Sequence, residues 1–206
     1  MITLLQTTDG KSLTKTFLKA ANGSITKASY DKAKYFTALE VQVNNIVELS
    51  TLLSEIEGDA SMCIIRGSVK PGADATKVRR LLYDDGADKA VFEEPPLGSP
   101  WLLIDFDGIP APSWLPAELR HQYLLEMLPA SFENVSYHYR WSASAGMDGW
   151  ETLSCHFWFW LTGSWRSDVI RKRIDVEVWE GVDDAPFSPD YSPDGLFGGG
   201  ERSLTL

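Results

Sequence analysis

Apolar positions along the chain fall into short runs and stripes whose spacing predicts alternating strands and helices. In the first 30 residues, ITLLQT and LTKTFLKA read as short strands, with a turn at Asn22-Gly23. Residues 45–57 give the clearest helix. Ile46, Leu49, Leu53 and Ile56 form one apolar stripe, Asn44 or Asn45 offers a cap, and Gly58 ends it. MCIIRG (62–67) reads as a strand, and a helix opened by Asp74 is expected to carry Val78, Leu81 and Leu82. From residue 101 the order becomes regular. A strand at 101–107 is followed by a helix at about 116–128, with Pro116 in its first turn and Leu119, Tyr123 and Met127 on one face. Strands at 135–142 and 153–161 flank a polar connection containing Gly146 and Gly149. A short basic helix near 165–172 then leads to a strand at 174–179. After Gly181 the residues are rich in Asp, Pro, Gly and Ser, which reads as a loop or linker.

The second half therefore has the order β-α-β-β-α-β, the ferredoxin-like or RNA-recognition-like arrangement. Its first and third strands are central neighbours and its fourth flanks the first. Residues on 101–107, 153–161 and 174–179 would then meet on one sheet face. The expected fold class is α+β, a single domain made of an N-terminal α/β module (1–100), an RNA-recognition-like module (101–180) and a C-terminal loop or linker (181–206). Composition shifts at the same place, since all eight tryptophans lie after residue 100.

No apolar run approaches the ~20 residues of a membrane span, and the N-terminus lacks the charged start and long apolar core of a signal peptide. Cys63 and Cys155 lie in predicted strands and read as small buried hydrophobes in a reducing compartment, so the expected location is cytoplasmic. They cannot build a zinc site alone. The net charge is −10, which at first argues against nucleic acid. Its distribution weakens that objection: residues 1–36 carry six lysines against Asp9 and Asp31, a second basic island runs from Arg66 to Arg80, and a third is Arg166, Arg171, Lys172 and Arg173. Such islands permit phosphate contacts without a continuous positive groove. Arg66, at a strand end before a glycine-containing loop, is singled out as a contact for template or phosphate, against the plainer reading of a surface arginine.

Trp101 to Gly108 carries the first candidate chemistry. Asp105 and Asp107 end a buried apolar strand and project from one face. Two like charges so placed raise each other's pKa and cost stability, a penalty that a hard divalent cation removes. Taken alone, two surface aspartates at a strand end are an equal reading. On 153–161, Ser154 and His156 share a face with Trp158 and Trp160, while Cys155, Phe157 and Phe159 share the other. Hydroxyl and imidazole can both donate to phosphate oxygens, or both can be satisfied core groups. Asp175, opening the last predicted strand, offers a third carboxylate to the same face, with Glu177 its same-side neighbour. Three carboxylates around two divalent ions suit phosphoryl and nucleotidyl transfer.

In order, Asp105-Phe106-Asp107, Ser154-Cys155-His156 and Ile174-Asp175 resemble the three motifs of the archaeo-eukaryotic primase superfamily. The resemblance extends to the Ser-rich approach to the second motif, Trp141 to Gly146. It also takes in Pro189 to Pro193, which is similar to a Tyr/Pro segment in the primases of phages, plasmids and other mobile elements. It implies that Asp105, Asp107 and Asp175 are catalytic and hold two Mg²⁺ or Mn²⁺ ions. Ser154 and His156 would contact the phosphates of the incoming nucleotide, with Ser142 and Ser144 near the same substrate. The implied partners are nucleoside triphosphates, a single-stranded DNA template with its primer, and a helicase domain or subunit; a membrane is not among them. Two departures stand out: no basic residue follows the third motif until Arg202, and the zinc-binding element of several relatives is absent. The expected activity is primer synthesis or extension, as a DNA primase or primase-polymerase. The competing readings are a non-catalytic replication-initiation domain and a two-metal phosphodiesterase.

Overall fold

The computed structural model describes residues 1–28 and 33–179, with side chains in the last helix described as far as Ile174. The chain is a mixed α+β protein in two compact units that meet in sequence at Glu94 and Pro95. This break lies a few residues before the composition shift, because the first strand of the second unit begins at Ser99.

In the first unit, strand β1 (Ile2–Thr7) is central, with β4 (Phe36–Val41) and β5 (Met62–Ile65) antiparallel on either side. β2 (Thr16–Lys19) and β3 (Ile25–Ala28) form a hairpin around Asn22-Gly23, where Asn22 Oδ1 accepts from Ser24 N at 3.0 Å. Helix α1 (Ile46–Ile56) starts as its sequence requires. Asn45 Oδ1 accepts from Glu48 N at 2.9 Å, and Glu48 reaches back to Asn44 N at 2.9 Å. It buries Leu49, Leu52 and Leu53. β6 (Ser68–Val69) pairs with β7 (Phe92–Glu93).

The helix expected from Asp74 does not form. Asp74 Oδ1 instead closes a local turn, accepting from Thr76 N and Oγ1 at 2.9 and 2.7 Å. Val78 exchanges both backbone hydrogen bonds with Phe36 at 2.8 Å, so its peptide groups serve β4 and are lost to a helical ladder. Arg79 turns to Asp85 and Asp88, and Lys89 to Asp84.

In the second unit, β8 (Ser99–Pro110) is followed by a 3₁₀ turn (Ala117–Leu119) running into the short α2 (Arg120–Leu125). β9 (Tyr137–Trp141), β10 (Thr152–Trp165) and α3 (Ser167–Trp179) complete it. The sheet order is β8-β10-β9, with both pairings antiparallel. The first and third strands of this half are thus neighbours, as expected. Among the described residues, however, no fourth strand flanks β8, so the β-α-β-β-α-β order is not completed and β8 is an edge strand. One sheet face makes the core. Leu102, Ile104 and Phe106 of β8 and Cys155, Phe157 and Phe159 of β10 lie against Leu124, Phe132 and Ile170 from the helical segments. Phe132 meets Phe159 edge-on at 5.1 Å, and Phe106 meets Phe157 at 5.8 Å.

The strand expected at 174–179 is instead the end of α3. Ile170 is buried and Ile174 packs beside it on the core, an i, i+4 pair that holds the helix to the sheet. Extending an existing helix past Arg173 adds one hydrogen bond per residue fixed, whereas a new strand would have to be nucleated afresh. Asp175 therefore sits on a helix, and its side chain, like that of Glu177, lies outside the described residues. So do Pro189 to Pro193 and the rest of the tail.

Among the described residues no helix is long and apolar enough to cross a membrane. Cys155 is fully buried, and burial pushes its thiol up to about 12. The thiolate is the reactive form, so Cys155 should resist iodoacetamide at pH 8 in the folded protein and label on unfolding. Labelling of Cys155 at the rate of the half-buried Cys63 in native protein would contradict this burial.

Candidate nucleotide and metal site

Strand β8 carries an extra residue where it passes Ser154. Leu153 and Cys155 are two residues apart on β10, while their partners Ile109 and Phe106 are three apart on β8. Asp107 and Gly108 therefore share the place opposite Ser154, a β-bulge with Gly108 at φ 68°. That left-handed backbone is the reason for glycine here. In a regular strand Asp105, Asp107 and Ile109 would share one face. The bulge leaves the two aspartates together and returns Ile109 to the core, beside Leu153.

Each aspartate is held by a side chain of β10. Gly108 N donates to Ser154 Oγ at 2.9 Å, and Ser154 Oγ donates to Asp107 Oδ1 at 3.0 Å. Ser154 is buried and Asp107 exposed, so the hydroxyl anchors a carboxylate that faces water. His156 is the cross-strand partner of Asp105, and its Nε2 lies 3.2 Å from Asp105 Oδ1. An ionised carboxylate only accepts, so Nε2 carries the proton of this contact. The other edge of the site is Trp158, whose ring meets that of His156 at 5.7 Å and near-perpendicular.

Ser142 lies just past β9, beside Ser154: its N–H donates to Ser154 O at 2.9 Å, and its Oγ is 3.1 Å from Ser144 Oγ. The turn that bears these serines is braced by Trp150. Its ring meets Trp141 edge-on at 5.1 Å, and the Arg120 guanidinium lies 4.6 Å from its centroid. Asp148 ties the far end, accepting from Trp150 N, Thr152 N and Thr152 Oγ1, and these bonds, Thr152's foremost, hold its carboxyl below the usual range. Gly146 has φ 74°, and a Cβ there would fall 2.7 Å from the Trp150 ring. Gly146→Ala should therefore cost about 1–3 kcal/mol of stability and change the tryptophan fluorescence. Gly149→Ala is the control: its backbone is similar, yet its Cβ would meet nothing within 4 Å. Equal spectra for the two variants would remove the brace from consideration.

The structure thus brings Asp105, Asp107, Ser142, Ser144, Ser154 and His156 to one end of one sheet face. Asp175 is carried on α3 with its side chain undescribed. Arg66 belongs to the first unit, half-buried past the end of β5. Burial pulls its guanidinium down to about 10, and Glu94 acts in the opposite direction. Sequence reasoning passed over Arg140, the cross-strand partner of His156 on β9. The signal was present: in a strand at 135–142, period two puts Arg140 on the face of Ser142.

The fold and site define an α+β protein with two carboxylates, each clasped from a neighbouring strand. Compared with known proteins, the chain matches no family model, no curated protein and no solved structure.

Proposed function

We propose that this chain is a metal-dependent nucleotidyltransferase, a DNA primase or primase-polymerase that makes or extends primers on a single-stranded template. One observation carries the reading: the Asp-x-Asp strand lies directly beside the Ser-x-His strand, with Asp105 opposite His156 and Asp107 clasped by Ser154.

The donor set suits Mg²⁺ or Mn²⁺ in the manner usual for phosphoryl-transfer sites. There one or two carboxylates hold the ion, and phosphate and water oxygens complete its shell. Among the described residues no three His, Cys, Asp or Glu side chains converge, so Asp105 and Asp107 would provide the described protein ligands and Asp175 the further one. Two such ions, when bound, activate the attacking hydroxyl and neutralise the leaving pyrophosphate. The chain's own part is positional. Ser154 fixes the rotamer of Asp107 from below. His156 donates its Nε2–H to Asp105 in a hydrogen bond, so only the imidazolium form has a second N–H to donate to a phosphate, from Nδ1. Ser142 and Ser144 offer hydroxyls beside it.

Template contact is expected to be weak for this chain alone. Lys11, Arg79 and Arg166 are tied to neighbouring aspartates, which leaves less positive charge in the basic islands than their composition suggests. A tethered helicase domain or subunit would raise the effective template concentration. The experiment is extension of a labelled primer on single-stranded DNA with Mg²⁺ or Mn²⁺, in which template-dependent elongation is expected. Binding of DNA without elongation would make the chain a replication-initiation module, and cleavage of the strand a phosphodiesterase.

A further inference from the structure

The candidate face is polarised across its strands. Asp105 and Asp107 stand on β8, Ser154 and His156 on the central β10, and His138 and Arg140 on β9, followed by Ser142. The register makes this a row and not a scatter: Asp105, His156 and Arg140 are successive cross-strand partners, and Trp158 and His138 form the next pair along. Their neighbours in sequence point the other way. Tyr139 stacks on Phe157, with centroids 6.0 Å apart, and Cys155, Phe157 and Phe159 fill the core. One face thus runs from acid at one edge, through hydroxyl and imidazole, to a guanidinium at the other.

Resting on the nucleotidyltransferase reading, we propose that the triphosphate lies across the strands, with Arg140 gripping its β- and γ-phosphates. Carboxylates repel phosphate unless a cation stands between them, so the reacting α-phosphate belongs at the Asp105 and Asp107 edge, where a divalent ion would be held. The distal phosphates carry the remaining negative charge and belong at the opposite edge. Neighbouring strands are about 4.8 Å apart, so β8 and β9 are separated by roughly 10 Å. That span accommodates a metal–oxygen bond of about 2 Å at one end, an N–H···O contact of about 2.9 Å at the other, and the phosphate chain between. Arg140 has contacts of its own within the protein. A guanidinium presents five N–H donors in a planar fork, however, so it can serve a protein partner and a phosphate together.

The test compares wild type with Arg140→Ala and Arg140→Lys for binding of a deoxynucleoside triphosphate, the matching monophosphate and inorganic tripolyphosphate, with Mn²⁺ present. Arg140→Ala should weaken triphosphate and tripolyphosphate roughly 10- to 100-fold, as loss of a charge-assisted hydrogen bond does. The monophosphate should be unaffected, and Arg140→Lys should fall between because it keeps charge but loses the fork. Equal losses for mono- and triphosphate, or no loss for either in folded variants, would overturn the assignment. Its fate separates from that of the enzyme reading. Selective triphosphate loss in a protein that never extends a primer leaves the subsite standing and removes the polymerase. Normal triphosphate affinity of Arg140→Ala in an extending protein does the reverse. A wild type that binds no triphosphate removes both.

Discussion

Asp105→Asn and Asp107→Asn should each abolish nucleotide incorporation while leaving the fold intact. Asparagine is the informative substitution because each aspartate accepts through Oδ1, from His156 and from Ser154 respectively. The amide oxygen keeps that acceptor and removes the charge. At Asp107, alanine would instead leave the buried Ser154 O–H without its acceptor, at about 1–3 kcal/mol, and mix a folding defect into the result. Charge stabilisation through a metal contributes several kcal/mol to such a reaction, so the expected loss is about 10³-fold or more. Relief of repulsion between two carboxylates on one strand face should hold the melting temperature level or raise it. Primer extension and thermal unfolding on the same samples check both halves. Incorporation near the wild-type rate in either variant would remove that aspartate from the chemistry.

Gly98→Ala should destabilise the second unit more than other glycine substitutions in it. Gly98 has φ 80°, and its ideal Cβ would fall 1.9 Å from the carbonyl carbon of Trp165, 2.0 Å from its oxygen and 2.3 Å from Arg166 N. These are backbone atoms, and they sit where β10 gives way to α3, so a side-chain rotation cannot relieve the overlap. Ser99, the next residue, pairs with Trp165 and begins β8, whose far end carries Asp105 and Asp107. The expected cost is about 3 kcal/mol or more, in the range reserved for steric failure in a packed site. For a unit of this size that is a drop in melting temperature of roughly 10–20 °C. Gly108→Ala provides the comparison: its φ is 68° but a Cβ there would meet nothing within 4 Å, so it should lose only the about 1–2 kcal/mol of a left-handed non-glycine residue. Denaturant unfolding of both variants measures the difference. Matching midpoints would mean that the close crossing at Trp165 does not constrain the fold.

Much of the secondary structure was legible because its signals are local. Asn45 and Glu48 cap α1 from three residues apart, and Asn22-Gly23 marks its hairpin without reference to any other part of the chain. Local signals failed where distant backbone intervened. Val78 has helical company in Leu81 and Leu82, yet its peptide groups are taken by Phe36, more than forty residues earlier. The alternation in Ile174 to Trp179 suits a strand as well as a helix end, and Ile174 packing beside Ile170 decided for the helix.

The candidate site divides along the same line. By itself the sequence determined which side chains travel together: period two on a strand puts Asp105 with Asp107 and Ser154 with His156, because alternation is a property of each extended segment. Which pair meets which is a matter of register between strands about fifty residues apart. The tertiary structure decided that Asp105 faces His156, that Ser154 meets Asp107 across a bulge, and that Arg140 completes the row. No local rule contains that information. It comes from closing the core on the opposite face, where Phe106, Cys155 and Phe157 have to be buried together and so fix how far β8 slides against β10.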